Sequence, residues 1–405
     1  MKDSRTLGFL LKRVDCNDGV SSHCEILISG LKAAGWKVIL ITGAVSYDAA
    51  SIRRLEAFKN MVEDWIILEQ FNPLRPNLKQ INLIREVTKK YGIALFHVHG
   101  YSMLMLTYLI KIFTGINCVA TFHPSVHSDN PHQIKAKLNF KQRLEYRTYL
   151  NLFTPQAFIA ISSDIEKFLV EELNFSKIRV FKILNGVDTE YFRAPTAEEH
   201  QNSRKKLALQ DEEFVCALVG RLSWNKGHDV LISAVRRIKS LSPESSVKCL
   251  FIGSGDQEND IKKYALGDEV DRDCFMFLGF VDQLREIYWA SDVFVLPSRL
   301  EGFALVIAEA MSCGTVPIRT PSGGAIDQIE DGNNGFIIPF DDAETLALRL
   351  QQLLENKELR RQMSEAALDL AQKKFTVEQM TKKTIAVYEK VIKERNLSKH
   401  SKKMS

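Results

Sequence analysis

The sequence lacks the features that mark disulfide-stabilised, membrane-spanning or repetitive proteins. Its seven cysteines are scattered, odd in number and include no C-x-x-C pair, which predicts reduced thiols in a cytoplasmic protein. The longest stretch without Lys, Arg, Asp or Glu, 91–110, has two histidines and a glycine in its middle, whereas a spanning helix needs about 20 mostly apolar residues. The N-terminal apolar stretch is too short and too charged for a signal peptide. These absences predict a soluble protein, at most peripheral to a membrane.

The sequence also lacks a strong net charge, because opposite excesses cancel along the chain. The total is +4 over 405 residues. Residues 1–190 carry 24 Lys and Arg against 18 Asp and Glu, 191–375 carry 22 against 29, and 376–405 carry 8 against 3. A nucleic-acid coat would be basic throughout, so the pattern predicts no nucleic-acid partner and leaves a local anionic partner open.

Short β-rich runs alternate with helical patterns over the whole chain, and the length suggests two domains. The strand runs are TLGFLL, KVILIT, ALFHV, NCVATF, AFIAIS and IRVFKI in the first half, and FVCALV, VKCLFI, CFMFLG, DVFVLP and TVPIRT in the second. Apolar runs separated by helix-length segments indicate parallel sheets covered on both faces. The sequence therefore predicts an α/β protein with two doubly wound domains of about six strands each.

The domain boundary is predicted where RAPTAEEHQ, at 193–201, interrupts this alternation. The predicted domains are 1–192 and 201–375. A long helix over 376–395 and a flexible basic tail over 396–405 follow them.

Two loops after predicted strands of the second domain suit phosphate binding. VGRLSWNKG offers Gly220, Arg221 and Lys226, and two cations on one loop suit a pyrophosphate. The alternative is a solvated basic loop. FIGSGDQE adds Gly253, for which a plain turn is an equally good interpretation.

A third segment, LPSRLEGFALVIAEAMSCGTVPI, predicts a helix from near Gly302 to about Ser312. Glu301 and Glu309 would then lie about 12 Å apart along the axis. Paired hydrolase carboxylates are about 5–9.5 Å apart, so the spacing better suits one carboxylate at a sugar and one at a ribose. The alternative is an acidic helix start and a solvated glutamate, although the apolar neighbours of Glu309 make an idle carboxylate costly.

GRLSWNKG, FIGSGD, LGF, PSRLEGFALVIAEAMSCGTVPI, GG and DGNNGF occur in this order across residues 220–338. The sequence thereby resembles retaining glycosyltransferases of family 4. The resemblance implies the GT-B fold, with two Rossmann-like domains facing a central cleft and a C-terminal helix that crosses back to the first domain. It also implies metal-independent transfer of a hexose from a nucleotide-diphospho-sugar, such as a UDP-sugar, to a hydroxyl of a glycan or lipid-linked acceptor in surface polysaccharide synthesis.

The resemblance also implies residue roles. Arg221 and Lys226 would hold the diphosphate, Glu301 would contact the donor hexose, and Glu309 would bind the ribose. The remaining donor-binding positions would be Gly19, Gly220, Gly253, Phe280 and Val281, with backbone N–H groups from Gly302, Phe303, Ala304 and Leu305. No side chain near Glu301 is an obvious nucleophile, which favours front-face attack assisted by the leaving phosphate.

In the first domain, family members usually have two glycines where this chain has Asp18-Gly19, so Gly19 is the position that carries over. His123, in TFHP, matches the family's histidine at the donor sugar, while His99, in HVH, would line the acceptor site or be structural. A zinc cluster is the alternative for these histidines, although spaced Cys or carboxylate partners are missing.

The segment at 132–153 carries five Lys and Arg against one Glu, interleaved with aromatics. Contact with the inner face of the membrane and a solvated helix are equally good interpretations. If the last helix crosses back, its basic excess joins that of the first domain and favours an anionic or membrane-bound acceptor.

Two alternatives to a transferase remain open. One is a nucleotide-sugar epimerase on the same fold, which the Glu301–Glu309 segment disfavours. The other is a non-catalytic nucleotide-sugar-binding protein, which the intact Arg221 and Lys226 disfavour.

Overall fold

The computed structural model describes residues 5–14, 18–45, 52–73, 75–100, 103–123, 155–267 and 271–404. The predicted basic segment at 132–153 lies outside the described residues. The chain divides at Gly186/Val187 and again at Thr376/Val377 into two compact units. Unit 1 holds the described residues up to 186 together with those from 377 onward, and unit 2 holds those between.

Unit 1 contains a parallel sheet of seven strands in the order β3-β2-β1-β4-β5-β6-β7. The strands are β1 (Thr6–Leu10), β2 (Lys37–Gly43), β3 (Asp64–Leu68), β4 (Leu95–His99), β5 (Cys118–Phe122), β6 (Ala157–Ala160) and β7 (Val180–Lys182). β1, β4, β5 and β6 are buried along their whole length, as expected for the interior of a doubly wound sheet. β3 was missed by the sequence patterns because it lies at the sheet edge and is only half-buried.

Helices connect these strands and have recognisable end signals. They are α1 (Gly19–Ala33), α2 (Ile52–Met61), α3 (Leu78–Tyr91), α4 (Leu104–Thr114) and α5 (Ser163–Lys167). The Asp18 carboxylate caps α1 by accepting a hydrogen bond from the Ser21 N–H at 2.8 Å. Asn77 and Gln80 form a capping box at the start of α3, which ends at a left-handed Gly92.

Unit 2 contains a parallel sheet of six strands in the order β10-β9-β8-β11-β12-β13. The strands are β8 (Phe214–Val219), β9 (Val247–Ile252), β10 (Phe275–Gly279), β11 (Val293–Leu296), β12 (Val316–Arg319) and β13 (Phe336–Ile337). The helices are α6 (Ala197–Lys206), α7 (His228–Leu241), α8 (Glu258–Leu266), α9 (Arg285–Ala290), α10 (Leu305–Ser312), α11 (Ala325–Gln328), α12 (Ala343–Glu355) and α13 (Lys357–Lys374). The predicted pair of doubly wound parallel sheets is confirmed.

The predicted boundary at 193–201 falls inside unit 2, not between the units. RAPT leads into α6, where Thr196 and Glu199 form a capping box, and Arg193 pairs with Glu199 at 2.6 Å. The proline and small residues there mark a helix start, which has the same composition as a linker.

The last helix, α14 (Val377–Met404), belongs to unit 1. It packs against α1 and places Met380, Val387, Tyr388 and Val391 in the unit 1 core. The helix continues past residue 395, where the sequence pattern ended it, because 396–404 contains no Gly or Pro that would stop it. The long C-terminal helix of the sequence analysis thus returns to the first unit.

Candidate active site

The strand order reverses between β8 and β11 in unit 2. In open α/β sheets, ligands bind beyond the carboxyl ends of the strands at such a switch point. The loop 220–227 follows β8, and Ser298 to Glu301 follows β11. The two segments with the strongest sequence signals are therefore brought to the same place in the sheet.

Gly253 lets the loop after β9 approach the loop after β8 closely. Gly253 has a φ of +135°, and a Cβ built there would lie 2.0 Å from the carbonyl oxygen of Gly220. Its N–H donates to the Gly279 carbonyl at 2.8 Å. Any larger residue at Gly253 would force the loops apart, so this glycine has a steric role in addition to the predicted ligand contact.

Lys226 and Glu301 form an ion pair across the switch point. The Lys226 Nζ lies 2.6 Å from Glu301 Oε1, and both side chains are largely shielded from solvent. A short 3₁₀ turn, Trp224–Lys226, holds the lysine, and Gly227 follows it at a φ of +75° against the Pro297 carbonyl. Arg221 belongs to the same loop and is exposed. The pair puts a cation and a carboxylate side by side.

Helix α10 begins at Leu305, so the predicted start near Gly302 was wrong. Ala304 has a left-handed φ of 58°, which separates Gly302 and Phe303 from the helix. The first-turn N–H groups of a helix have no intrahelical acceptor, and at α10 these are at Leu305 and Val306, since the Ile307 N–H donates to the Ala304 carbonyl. Phe303 is buried against Phe375, so only its backbone is available to a ligand.

A buried arginine supports the segment before α10. Arg319, at the end of β12, is fully buried and donates to the Phe303 carbonyl, to Ser322 and to the Gly323 carbonyl. A Cβ at Gly323 would lie 2.4 Å from the Glu301 carbonyl oxygen. Gly323, the first glycine of the GG motif, therefore packs directly against the backbone of Glu301.

Glu309 lies in the middle of α10 and retains some exposure, although protein atoms surround most of its carboxyl group. Burial raises the pKa of Glu309 to about 7, and the hydrogen bond from the Tyr288 hydroxyl, at 2.8 Å, lowers it in part. Phe280 is half exposed just after β10, with Val281 next to it. Phe280 and Val281 therefore follow the carboxyl end of β10, and Glu309 lies in the same unit.

Gly19 and His123 lie in unit 1, where the strand order reverses between β1 and β4. Gly19 is the first residue of α1, and a Cβ there would meet no atom within 4 Å. His123 follows β5 and is buried, with Nε2 3.2 Å from His99 Nδ1. His23, on α1, stacks edge-on against His123.

Sequence reasoning missed three residues of these sites: Tyr288, Arg319 and His23. An arginine inside the apolar run TVPIRT was a usable signal, because a fully buried cation needs several partners. Tyr288 and His23 gave none, since each lies on a helix and meets its neighbours only through the tertiary fold.

Two family models match the chain, and each match falls largely within one of the two units. Residues 17–191 match the family model described as Glycosyltransferase Family 4, and residues 199–369 match the one described as Glycosyl transferases group 1. An uncharacterized glycosyltransferase of Methanocaldococcus jannaschii is 27% identical and covers 91% of this chain and 94% of its own length. An Escherichia coli UDP-Gal:alpha-D-GlcNAc-diphosphoundecaprenol alpha-1,3-galactosyltransferase is 27% identical over 70% of this chain and 72% of its own.

Solved structures have the same fold. Anabaena Alr3699/HepE in complex with UDP superposes with a TM-score of 0.79 at 18% identity, covering 95% of this chain and 99% of that one. A glycosyltransferase from Rickettsia africae gives 0.78 at 21% identity, covering 96% and 99%. Both sheets and nearly the whole chain therefore match the GT-B architecture. The chain belongs to the family 4, group 1 glycosyltransferases of the GT-B fold.

Proposed function

We propose that the protein is a retaining hexosyltransferase that uses a nucleotide-diphospho-sugar, and the Lys226–Glu301 pair carries this proposal. A diphospho-sugar presents negative charge beside sugar hydroxyls, and this pair offers a cation beside a carboxylate at the switch point of the sheet. Glycine-lined loops and the start of α10 lie next to it, where anions are favoured. Glu309, about one turn along α10 from this start, is proposed to accept hydrogen bonds from the ribose.

The proposed reaction is a front-face displacement. The bond between the sugar C1 and the phosphate oxygen breaks, the acceptor oxygen bonds to C1 on the same face, and the acceptor proton moves to the departing phosphate. Arg221, Lys226 and the first N–H groups of α10 would stabilise the charge that develops on the diphosphate. Glu301 is held by Lys226 at 2.6 Å, which favours a role in binding hydroxyls over nucleophilic attack.

The donor is proposed to be a UDP-sugar, and the reaction is proposed to need no metal because cationic side chains neutralise the diphosphate. The Escherichia coli relative is named for UDP-Gal, and the Anabaena structures contain UDP or UDP-glucose. Phe280, half exposed after β10, offers a ring face on which the base of the donor is proposed to pack, next to Val281. Gly19 and His123 of unit 1 are proposed to contact the donor phosphate and sugar.

The acceptor is proposed to be a glycan or lipid-linked glycan of a surface polysaccharide, reached at the inner face of the membrane. The Escherichia coli relative acts on a diphosphoundecaprenol-linked sugar. Helix α4 presents apolar side chains to solvent, with Ile112 57% and Phe113 41% exposed beside Lys111, a composition that suits a membrane interface. Among the described residues, no helix combines the length and the apolar character needed to cross a bilayer.

Product analysis tests this proposal. The protein is incubated with labelled UDP-hexoses and polyprenyl-diphosphate-sugar acceptors in the presence of EDTA, and the anomeric configuration is read by NMR. We expect a product with the donor's configuration. An inverted anomer would contradict retention, and conversion of the donor without acceptor would favour the epimerase.

Lys226→Met tests the role of the lysine in this reaction. We expect kcat to fall about 10²–10³-fold, because the variant loses one group that stabilises charge in the transition state. Lys206→Met is the control, because Lys206 also pairs with a glutamate at 2.7 Å in unit 2 but is exposed. It should retain wild-type activity. Equal loss in both variants would show that the effect is not local to the proposed site.

A further inference from the structure

Four histidines form a buried cluster in unit 1, which we call the histidine cluster: His23, His97, His99 and His123. α1 contributes His23, the end of β4 contributes His97 and His99, and His123 follows β5. None is more than 5% exposed. The ring centroids of His23 and His123 are 4.9 Å apart, and those of His99 and His123 are 5.4 Å apart. The cluster lies where the strand order of unit 1 reverses.

Hydrogen bonding separates one member from the other three. Both ring nitrogens of His97 are engaged, with the Tyr388 hydroxyl at 2.6 Å and the Thr121 hydroxyl at 2.7 Å. Nε2 of His99 and both ring nitrogens of His23 have no partner among the described residues, although they are buried. A buried polar atom without a partner costs about 1–3 kcal/mol. A bound ion could satisfy one nitrogen of His23, while Nε2 of His99 would stay available to an outer-shell partner.

The chemistry of the side chains indicates the kind of ligand. Imidazole binds transition metals through a ring nitrogen, and His23, His99 and His123 bring such nitrogens from three different elements to one buried place.

The positions of the ring nitrogens fit a common ion. One ligand nitrogen from each of His23, His99 and His123 lies within 4.8 Å of the other two. His99 Nδ1 and His123 Nε2 are 3.2 Å apart, and two nitrogens bound tetrahedrally at about 2.0–2.1 Å would be about 3.3 Å apart. Small side-chain rotations would bring the third nitrogen to the same distance.

We propose that His23, His99 and His123 bind a transition-metal dication of the zinc class, with the fourth position left to water. Three imidazoles suit zinc, cobalt, nickel or copper, whereas magnesium and calcium take oxygen ligands. Asn185 is a candidate outer-shell partner, because its buried carbonyl oxygen lies near His23 and has no other hydrogen-bond partner among the described residues. A metal-bound His23 could donate its other N–H to that oxygen.

This site does not depend on the proposed function, since the donor diphosphate is assigned to cations of unit 2. The two are linked at one residue only. His123 is proposed to contact the donor sugar, so an ion bound to it would compete with the donor. We therefore expect zinc to inhibit the transfer reaction, while EDTA leaves the reaction intact.

Cobalt binding tests the site directly. Tag-free full-length protein, without donor or acceptor, is titrated with Co²⁺ and then with Zn²⁺. We expect one equivalent, the intense visible absorption of four-coordinate cobalt, no thiolate charge-transfer band, and displacement by zinc. Magnesium should not compete. A weak six-coordinate spectrum, or a thiolate band, would overturn the proposal even if every variant below failed to fold.

The variants are His23→Gln, His99→Gln and His123→Gln, each expected to weaken cobalt binding at least 100-fold. His228→Gln is the matched control. His228 is buried in unit 2, its Nε2 has no partner in the part of the chain that the structure describes, and burial lowers its pKa to about 4. Circular dichroism establishes that each variant is folded. Unchanged affinity in the three variants, or equal loss in His228→Gln, would overturn the site. Loss of cobalt binding in His23→Gln without loss of transfer in EDTA would leave the proposed function standing.

Discussion

Glu301 and Glu309 are carboxylates of one short segment with opposite surroundings. Glu301 has a lysine at 2.6 Å, whereas Glu309 accepts a hydrogen bond from the neutral Tyr288 hydroxyl, and burial raises its pKa to about 7. A group with such a pKa changes its charge within the physiological range. Donor binding through Glu309 should therefore depend on pH.

We expect UDP to bind about tenfold more weakly at pH 6 than at pH 8, because one pH unit below the pKa only about a tenth of Glu309 is ionised. Isothermal titration calorimetry across this range measures the effect.

The stability of the protein should change in the opposite direction. The folded pKa lies above the unfolded value of 4.5, so the contribution of Glu309 to stability is complete below about pH 4.5 and is lost as the pH rises through 7.

Two variants test whether Glu309 causes the pH dependence of UDP binding. Glu309→Gln should bind UDP weakly at every pH, without the step near pH 7. Tyr288→Phe removes the hydrogen bond that lowers the pKa of Glu309, so the midpoint should move to higher pH. A midpoint unchanged in Tyr288→Phe, or a step retained in Glu309→Gln, would rule out Glu309 as the titrating group.

At the scale of elements, two glycines at strand-to-helix connections have different physical roles. Gly253 has a positive φ and no space for a Cβ beside Gly220, whereas Gly19 at the start of α1 has open space around it. A glycine that the fold does not require is more informative about ligands than one that the fold does require.

We expect Gly253→Ala to destabilise unit 2 by about 2–4 kcal/mol, from backbone strain and a displaced loop. Gly19→Ala should leave the melting temperature unchanged, yet lower kcat/KM at least tenfold if the donor phosphate approaches α1 closely. Thermal unfolding and steady-state kinetics on both variants separate these effects. Wild-type kinetics in a stable Gly19→Ala protein would remove Gly19 from the donor site.

The elements also show what the sequence can predict. Interior strands such as β8 and β11 are continuous apolar runs, so their positions, and the loops after them, were predictable. β3 was not, because an edge strand is half exposed and its pattern is ambiguous. The left-handed conformation of Ala304 was not predictable either. The Gln328 side-chain amide donates to the Ala304 carbonyl and Arg319 to that of Phe303, and no local pattern encodes such contacts.

At the scale of the whole molecule, charge is divided between the units. Residues 1–190 and 376–405, which make up nearly all of unit 1, carry an excess of eleven positive charges, and 191–375 carry an excess of seven negative charges. α14 accounts for five of the eleven, because it returns the basic C-terminal segment to unit 1. Anionic lipids attract such a surface, at about 1 kcal/mol per basic residue near the membrane.

We expect the protein to bind phosphatidylglycerol vesicles, and binding to weaken with salt and in neutral vesicles. Ile112→Ser combined with Phe113→Ser, on α4, should lower the bound fraction at least tenfold in cosedimentation. Ile326→Ser with Leu348→Ser is the control, since these residues of unit 2 are 66% and 58% exposed. Equal loss in the control, or binding that ignores lipid charge, would contradict membrane contact through α4.

The path of the chain has a consequence for biosynthesis. Residues 187–267 and 271–376 of unit 2 lie between two stretches of unit 1, and α14 fills part of the unit 1 core with Met380, Tyr388 and Val391. During synthesis, unit 2 can therefore complete its core before α14 is made. Unit 1, although synthesised first, still lacks the helix that covers one side of its core. Translation adds about 5–20 residues per second. The sheet of unit 1 is therefore synthesised on the order of ten seconds or more before α14 is complete, and Trp36 and its apolar neighbours stay exposed during that time. The first unit to emerge is the last to finish folding, and chaperones that bind exposed apolar surface would meet it during that interval.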